Sequence, residues 1–237
     1  MNIIRWDTKE ILFEKECDSV KELMVEAFEK GISFYRADLK GADLTDITLV
    51  NSNFIEADFT GAILYNSNLQ DSNFSNAKLV NVDFRYANLS EVDFNSSILR
   101  DSFLMVANLK GAKFTRADLT NCDLSYTNLK YASLSKAILK NANLTNAFLE
   151  DTWLTDTDIT NIKISNVIGN MREIKSMRVD RFKIAWTRTD LSIDSEQYPI
   201  DKWEELSGAD FLKDRHGIES WWDKWKEIIL KTVELSN

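Results

Sequence analysis

The chain has 237 residues, 44% of them hydrophobic and 28% charged, with a net charge of −9, which suits one elongated domain with terminal caps. No apolar run approaches the roughly 18 residues of a membrane span, and neither a leader peptide nor a polybasic tail is recognisable, so we predict a cytoplasmic protein that makes no membrane contact. Cys17 and Cys122 are too few for a metal motif, and we expect no disulfide between them.

The segment 1–31 predicts a hairpin followed by a short helix. Ile3, Ile4 and Trp6 face a second apolar run, residues 11–13, across a polar stretch that suits a turn. Asp18 or Ser19 can cap a helix that ends at Gly31. Its apolar side would be formed by Val20, Leu23, Met24, Ala27 and Phe28.

Residues 32–166 contain a five-residue repeat without a break. Every fifth residue from Phe34 to Ile164 gives 27 positions, with 18 Leu, 7 Phe and 2 Ile. Two places before each lies a second column, from Ile32 to Ile162, that holds mostly Ala, Ser and Thr. A period of five fits neither a helix nor a strand, so the chain must turn in every repeat and form a solenoid. We expect both columns to point inward and the other three residues outward.

The last outward position of each repeat is predicted to be the turn. It is Gly, Asn or Asp in 17 of 27 repeats, and these residues tolerate left-handed backbone angles. A second period, four repeats long, relates five of the central Phe, and it also relates four Asn that can form a hydrogen-bonded ladder. This longer period predicts coils of four repeats. The members are Phe34, Phe54, Phe74, Phe94 and Phe114, and Asn68, Asn88, Asn108 and Asn128.

Runs such as Ala37-Asp38-Leu39-Lys40-Gly41 and Ala117-Asp118-Leu119 resemble the A(D/N)LXX motif of the pentapeptide-repeat proteins. The resemblance covers the whole repeat region, 32–166. It implies an all-β solenoid, a right-handed quadrilateral β-helix with parallel strands on its faces. We therefore expect three segments: an N-terminal cap at 1–31, the pentapeptide-repeat β-helix at 32–166, and a C-terminal cap of β-strands and α-helix at 167–237.

One side of the predicted rod differs from the polar remainder, and we call it the apolar face. Two of its residues, Ile63 and Phe103, stand where the motif expects Asp or Asn. A contiguous apolar cluster is typical of an interface, although a mixed surface or a patch covered by the C-terminal segment stays open. The apolar face comprises Ile63, Tyr65, Tyr86, Phe103, Met105, Val106 and Tyr126.

After Asn166 the repeat decays, and residues 176–179, 182–187 and 190–193 predict short strands that pair with the last coil or with each other. Basic and aromatic residues interleave there, at Arg181, Phe182, Lys183, Trp186 and Arg188. This pattern can indicate nucleic-acid binding, but charges on an edge strand also protect it from aggregation. Because the protein is acidic overall, we do not expect direct nucleic-acid binding.

A helical stretch is predicted at residues 201–206, and an amphipathic helix at 218–235. The apolar stripe of the last helix needs a surface to cover it, either the final coil or a second subunit. In some family members a C-terminal helix mediates dimerisation, so the resemblance leaves a homodimer open. The candidate cap or dimer residues are Trp221, Trp222, Trp225, Ile228 and Ile229.

The sequence offers no catalytic constellation. The single histidine, His216, lies beside Gly217 in a predicted loop, and no nucleophile or carboxylate is spaced to form a dyad or triad with it. No zinc-protease, dinucleotide or phosphate-loop motif is present, so we expect no enzyme, no cofactor and no metal site.

Two functions of different classes remain. The first is a structural scaffold that binds another protein, whose identity the sequence does not give, on a flat outer face. The second follows from the resemblance: certain pentapeptide-repeat proteins mimic DNA and inhibit or protect DNA gyrase, which confers fluoroquinolone resistance. Two features depart from those members, which are acidic rods with projecting loops. Residues 32–166 carry 16 acids and 12 bases, a small acidic excess, and their register has no inserted loop.

Overall fold

The computed structural model separates into two units, Met1–Lys163 and Ile164–Asn237. Each unit is described by itself. The residues described are 1–170, 174–179, 182–194, 196–206 and 218–236. His216, Gly217 and Arg181, which were singled out in the sequence, lie outside these ranges.

The N-terminal unit begins with the predicted hairpin and helix. Strands β1 (Asn2–Ile4) and β2 (Ile11–Glu14) pair antiparallel, with Ile3 opposite Phe13. Helix α1 (Val20–Glu29) is capped by Ser19, whose side chain accepts the Glu22 N–H. It ends before Gly31, which has the left-handed φ of +70° that glycine adopts easily.

From residue 38 to residue 163 the chain winds in regular coils. Each parallel bridge joins a residue to the one 20 positions later, as Asp43 with Ile63, and Ile63 with Asp83. The Leu44 N–H donates to the Ile63 carbonyl at 2.8 Å, and the Ile63 N–H donates to the Ala42 carbonyl at 2.9 Å. Four five-residue repeats therefore make one coil, as the longer period predicts.

The pairing between coils consists of single-residue bridges, whereas parallel strands were expected on the faces. The reason lies in the repeat length. A turn follows each central residue, as when the Ile47 N–H donates to the Leu44 carbonyl at 3.1 Å. Two of every five residues are the middle of such a turn, which leaves no room for a longer ladder.

The two inward columns form the core of the rod. From Phe34 to Leu154 every central residue is buried, and so is every residue of the small column from Ala37 to Thr152. The predicted Phe ladder is present: the rings of Phe54 and Phe74 are 4.7 Å apart between centroids, and those of Phe74 and Phe94 are 5.4 Å apart. Side chains thus fill the interior over this length.

The C-terminal unit contains a four-stranded antiparallel sheet in the order β3-β4-β5-β6. The first three strands lie close to the predicted positions and pair with each other, whereas β6 was not predicted. The sheet is followed by α2 (Ile200–Glu205) and α3 (Ile218–Ser236). The strands are β3 (Lys175–Val179), β4 (Phe182–Trp186), β5 (Asp190–Ile193) and β6 (Glu196–Pro199).

The core of this unit lies between the sheet and the helices. Trp203 and Trp222 are fully buried, with ring centroids 5.3 Å apart, and the Trp203 indole donates to the Leu191 carbonyl at 2.7 Å. Trp186 also belongs to this cluster and is 3% exposed. An aromatic ring held in the core offers no platform for a nucleic-acid base. Of the helices described, none is long and apolar enough to cross a membrane.

Candidate interaction surface

The residues of the apolar face lie in neighbouring columns on one side of the rod. Ile63, Asp83 and Phe103 follow one another in consecutive coils through parallel bridges. Beside them, Tyr86 donates its N–H to the Met105 carbonyl at 3.2 Å. The structure therefore brings together on one surface the seven side chains that were selected from the sequence.

Five of the seven side chains are well exposed: Ile63, Tyr86, Phe103, Val106 and Tyr126 are between 40% and 55% accessible. Tyr65 and Met105 are half-buried beside them. The Tyr65 and Tyr86 rings meet edge to face at 5.4 Å, and the Arg85 guanidinium lies 5.6 Å from the Tyr65 ring. The patch is a contiguous apolar surface with one cation at its centre.

That central cation is already paired. Arg85 donates to both carboxylate oxygens of Asp83, at 2.9 and 2.6 Å. Burial by itself would raise the pKa of Asp83, but the hydrogen bonds from Arg85 outweigh it and hold the pKa below its ordinary value. Arg85 is therefore committed to an acid of its own coil.

The apolar face is acidic around its apolar centre. Over residues 41–46, 61–66, 81–86, 101–106 and 121–126 there are five acids and one base, a net charge of −4. The whole repeat region, with 16 acids and 12 bases, has the same net charge. The acids are Asp43, Asp46, Asp83, Asp101 and Asp123, and the base is Arg85.

Three residues of the apolar face stand in one turn column and have left-handed backbone angles. The φ of Tyr86 is +63°, that of Val106 is +65°, and that of Tyr126 is +60°. Side chains with a Cβ disfavour this region, and a β-branched residue such as Val is a clear outlier there. Other coils have Asp46 and Asn66 in the same column, residues that tolerate the angle better.

Elsewhere on the rod, acids pair with bases of neighbouring coils. Asp58 lies 3.4 Å from Lys40 and 3.7 Å from Lys78, and Arg100 donates to Asp118 at 2.6 Å. For Asp118, burial would raise the pKa, but hydrogen bonds from Thr120 and Arg100 lower it below its ordinary value. The face that carries Asp58 and Asp118 therefore pairs several of its acids with bases.

Two side-chain ladders run along the rod. The predicted one is present: Asn88 donates to Asn68 at 3.0 Å, and Asn108 and Asn128 continue it at 3.1 and 3.2 Å. A second ladder, at a turn column, was not predicted, although its regular spacing was visible in the sequence. Asn121 donates to Asp101 at 2.9 Å there, and Asn141 donates to Asn121 at 3.0 Å.

The candidate residues of α3 lie mainly inside their own unit. Trp221, Trp222 and Ile229 are buried in the cluster with the sheet, and Trp225 packs against it half-buried. Ile228 is 55% exposed. Burial of the indole rings therefore needs no second subunit, while the capping and dimer hypotheses for this helix stay predictions.

The described side chains show no arrangement suited to catalysis or metal binding. In the described ranges, no group of three or more His, Cys, Asp or Glu side chains is placed to hold a metal ion. Cys122 is buried, and burial raises the pKa of its thiol to about 12, so the reactive thiolate does not form at neutral pH.

Family models identify the repeat region directly. A model described as pentapeptide repeat region matches residues 30–104 and 47–119. A second, described as pentapeptide repeats (8 copies), matches residues 104–141 and 122–161. The chain belongs to the pentapeptide-repeat protein family. Membership supports the right-handed β-helix that the resemblance implied.

Solved structures of other pentapeptide-repeat proteins are similar in part. A trypsin-treated variant of QnrB1, a plasmid-mediated fluoroquinolone resistance protein, is 19% identical, with 56% of this chain and 80% of that chain covered and a TM-score of 0.43. HetL from the cyanobacterium Nostoc, involved in heterocyst differentiation regulation, is 32% identical over 57% of this chain and 65% of that chain, with a TM-score of 0.28. A protein of the Arabidopsis thaliana thylakoid lumen is 26% identical over 46% of this chain and 67% of that chain, with a TM-score of 0.22. No curated protein matches the chain significantly.

Proposed function

We propose that the protein is a non-enzymatic scaffold that binds another protein through the apolar face of its pentapeptide-repeat rod. The observation that carries this proposal is the contrast between interior and surface. Side chains fill the rod from Phe34 to Leu154, which leaves its outside for partners. On that outside, large apolar residues of successive coils collect on one face.

The backbone of the apolar face supports the same proposal. Tyr86, Val106 and Tyr126 occupy left-handed positions that Asn or Gly would fill with less strain. Another turn column holds strained residues as well, but there they are polar or charged, whereas in this column they are large and apolar. The polar set is Arg36, Glu56, Ser96, Arg116 and Lys136. We therefore attribute the presence of Tyr86, Val106 and Tyr126 on this face to partner binding.

We propose further that the hairpin and α1 cap the first coil. The Asp38 N–H donates to the Ile4 carbonyl at 2.8 Å, and the Trp6 N–H donates to the Arg36 carbonyl at 2.9 Å. The Trp6 indole donates to the Glu56 carbonyl at 2.7 Å. The first two bonds satisfy backbone groups that the coil end would otherwise leave unpaired.

The proposal is tested by recovering a partner from lysate with the intact chain and with the Phe103→Asp, Met105→Asp double variant. Both side chains point outward, so we expect the double variant to fold normally and to recover at least about tenfold less partner. Ile138→Asp is the matched control, because Ile138 is 39% exposed on another face. Equal recovery by the double variant and the intact chain would remove the apolar face from the function.

The same recovery experiment also tests the second candidate function, DNA mimicry. Outside the apolar face, five acids of the described repeat region are paired with lysine or arginine, and these pairs interrupt any phosphate-like row. They are Asp38, Glu56, Asp58, Asp118 and Glu150. Recovery of DNA gyrase in amounts that the double substitution leaves unchanged would support mimicry in place of the scaffold.

A further inference from the structure

The apolar face has an apolar centre and an acidic border. Within the described part of the chain, Asp46, Asp101 and Asp123 form no ion pair with a lysine or arginine, and they accept hydrogen bonds from neutral groups only. Asp43 is different, because hydrogen bonds from Thr45 and the nearby Lys21 ammonium lower its pKa. A partner that fits this surface must supply both apolar contact and positive charge.

We propose that the apolar face binds an amphipathic α-helix of the partner protein, with lysine or arginine residues flanking its apolar stripe. This inference rests on the proposed scaffold function and names the chemistry of the partner segment. Three observations support it: the spacing of the apolar side chains, the sign of the surrounding charge, and the repulsion of other occupants.

The spacing favours a helix. Ile63 and Phe103 point outward from coils two apart, with Asp83 between them. Neighbouring coils lie about 5 Å apart, as the Phe rings show, so the two side chains are separated by about 10 Å along the rod. Residues seven apart in an α-helix are about 10.5 Å apart on one side, which matches. Residues on one side of an extended strand recur every ~6.8 Å, which does not match the separation of about 10 Å.

The charge favours a basic helix. The Arg85 guanidinium is paired with Asp83, so it neutralises none of the bordering acids. Asp46 and Asp101 are exposed at opposite corners of the face. Lysine or arginine residues beside the apolar stripe of a bound helix would reach these carboxylates and steer the encounter, and added salt would weaken this attraction.

The same charge disfavours two other occupants. A second copy of the chain would place one face of net charge −4 against another. A nucleic acid would bring phosphates to the same carboxylates, and both contacts are repulsive.

The test uses the full chain and synthetic peptides of about 20 residues, about 30 Å long as helices. The first peptide has leucine and lysine in equal numbers, with the leucines placed on one side of a helix. The second replaces lysine by glutamate, and the third has the composition of the first in strict alternation, which favours a strand. By fluorescence anisotropy we expect the first peptide to bind at least about tenfold more tightly than either of the others.

Variants of the chain separate the two contributions. Phe103→Asp adds a negative charge, so electrostatics alone would strengthen binding of the lysine peptide, whereas loss of the apolar contact is expected to weaken it at least about tenfold. Ile138→Asp adds the same charge to another face and should leave binding within about twofold. The double variant Asp46→Asn, Asp101→Asn should weaken binding of the lysine peptide and reduce the dependence of that binding on salt. Its control is Asp71→Asn with Asp151→Asn, which removes two exposed acids at another corner and should change neither property.

The inference is overturned if the lysine peptide does not bind, or if the glutamate or the alternating peptide binds equally well. Equal binding of the lysine peptide by Phe103→Asp and the unchanged protein would also overturn it. A dimer in light scattering that Phe103→Asp dissolves would show that a second copy occupies the face. If the lysate partner still depends on Phe103 and Met105 while the lysine peptide does not bind, the helix inference is wrong and the scaffold proposal stands.

Discussion

The turn residue of each repeat has a left-handed backbone whatever its side chain. Asn51 and Gly61 adopt these angles easily, and Ser96 and Val106 adopt the same angles with more strain. The fold thus imposes the conformation, and the sequence decides how strained it is. At Val106 this strain coincides with the apolar face, whereas Ser96 lies in a different turn column.

Replacing Val106 by Asn is expected to stabilise the protein. Asn relieves the left-handed strain of a β-branched residue, while little apolar contact is lost because Val106 is 41% exposed. We expect urea denaturation to show a gain of about 1 kcal/mol in the free energy of unfolding. The same variant should bind the partner less well, because it removes an apolar side chain from the apolar face.

Ser96→Asn is the control for that prediction. Ser96 has the same left-handed angle, with a φ of +59°, in a different turn column. Ser96→Asn should raise the free energy of unfolding by less than Val106→Asn does, and it should leave partner binding unchanged. A Val106→Asn variant that is less stable than the natural chain would contradict the strain argument.

The features that depend on single residue types were the most predictable from the sequence. The columns of Leu and Phe, the Gly and Asn turns and the first Asn ladder all follow from period and side-chain size. The second ladder, Asp101 to Asn161, was overlooked because its members also fit the turn rule, so their stacking needed no separate explanation. One residue can satisfy two structural requirements at once.

At the scale of elements, the Phe ladder fixes the register of the coils. Phe74 is fully buried between Phe54 and Phe94 and also contacts the rings of Phe59 and Phe84. The ring therefore packs against other rings in its own coil and in both neighbours. Aromatic pairs of this kind contribute beyond the area they bury.

Phe74→Ala is expected to lower the free energy of unfolding by about 3–5 kcal/mol, since it opens a cavity between close-packed coils. Phe148→Ala removes the same ring from an exposed position, and we expect a change below about 0.5 kcal/mol. Chemical denaturation followed by circular dichroism measures both. Similar effects of the two substitutions would mean that the ladder does not stabilise the rod.

Element boundaries were less predictable than the residue columns. Strand β6 was missed because Glu196–Pro199 is polar and ends in proline, so it lacks the alternation of a strand, yet β5 provides a pairing edge for it. The large C-terminal indoles were expected to require the final coil or another subunit. Trp203 and Trp222 instead pack against each other beside the sheet, a contact between distant residues that periodicity does not reveal.

For the whole molecule, the repeat region provides four outer faces built on one backbone. Over its described length, the apolar face gathers five well exposed apolar residues from four successive coils. A smaller exposed set, Tyr131, Phe148 and Trp153, lies at another corner. Under the proposed function, the rod binds its partner through the apolar face and keeps most of the remaining surface solvated. The four faces can therefore be compared directly in a single protein.

The most direct test is site-specific photo-crosslinking from one outward position on each face: Phe103, Lys110, Lys113 and Ile98. Each is replaced in turn by a photoreactive phenylalanine analogue in the full-length chain, and crosslinked protein partners are quantified after irradiation in cells. We expect a specific adduct from position 103 and none above background from the other three. Equal adducts from all four positions, or an adduct confined to another face, would contradict the assignment of the apolar face as the binding surface.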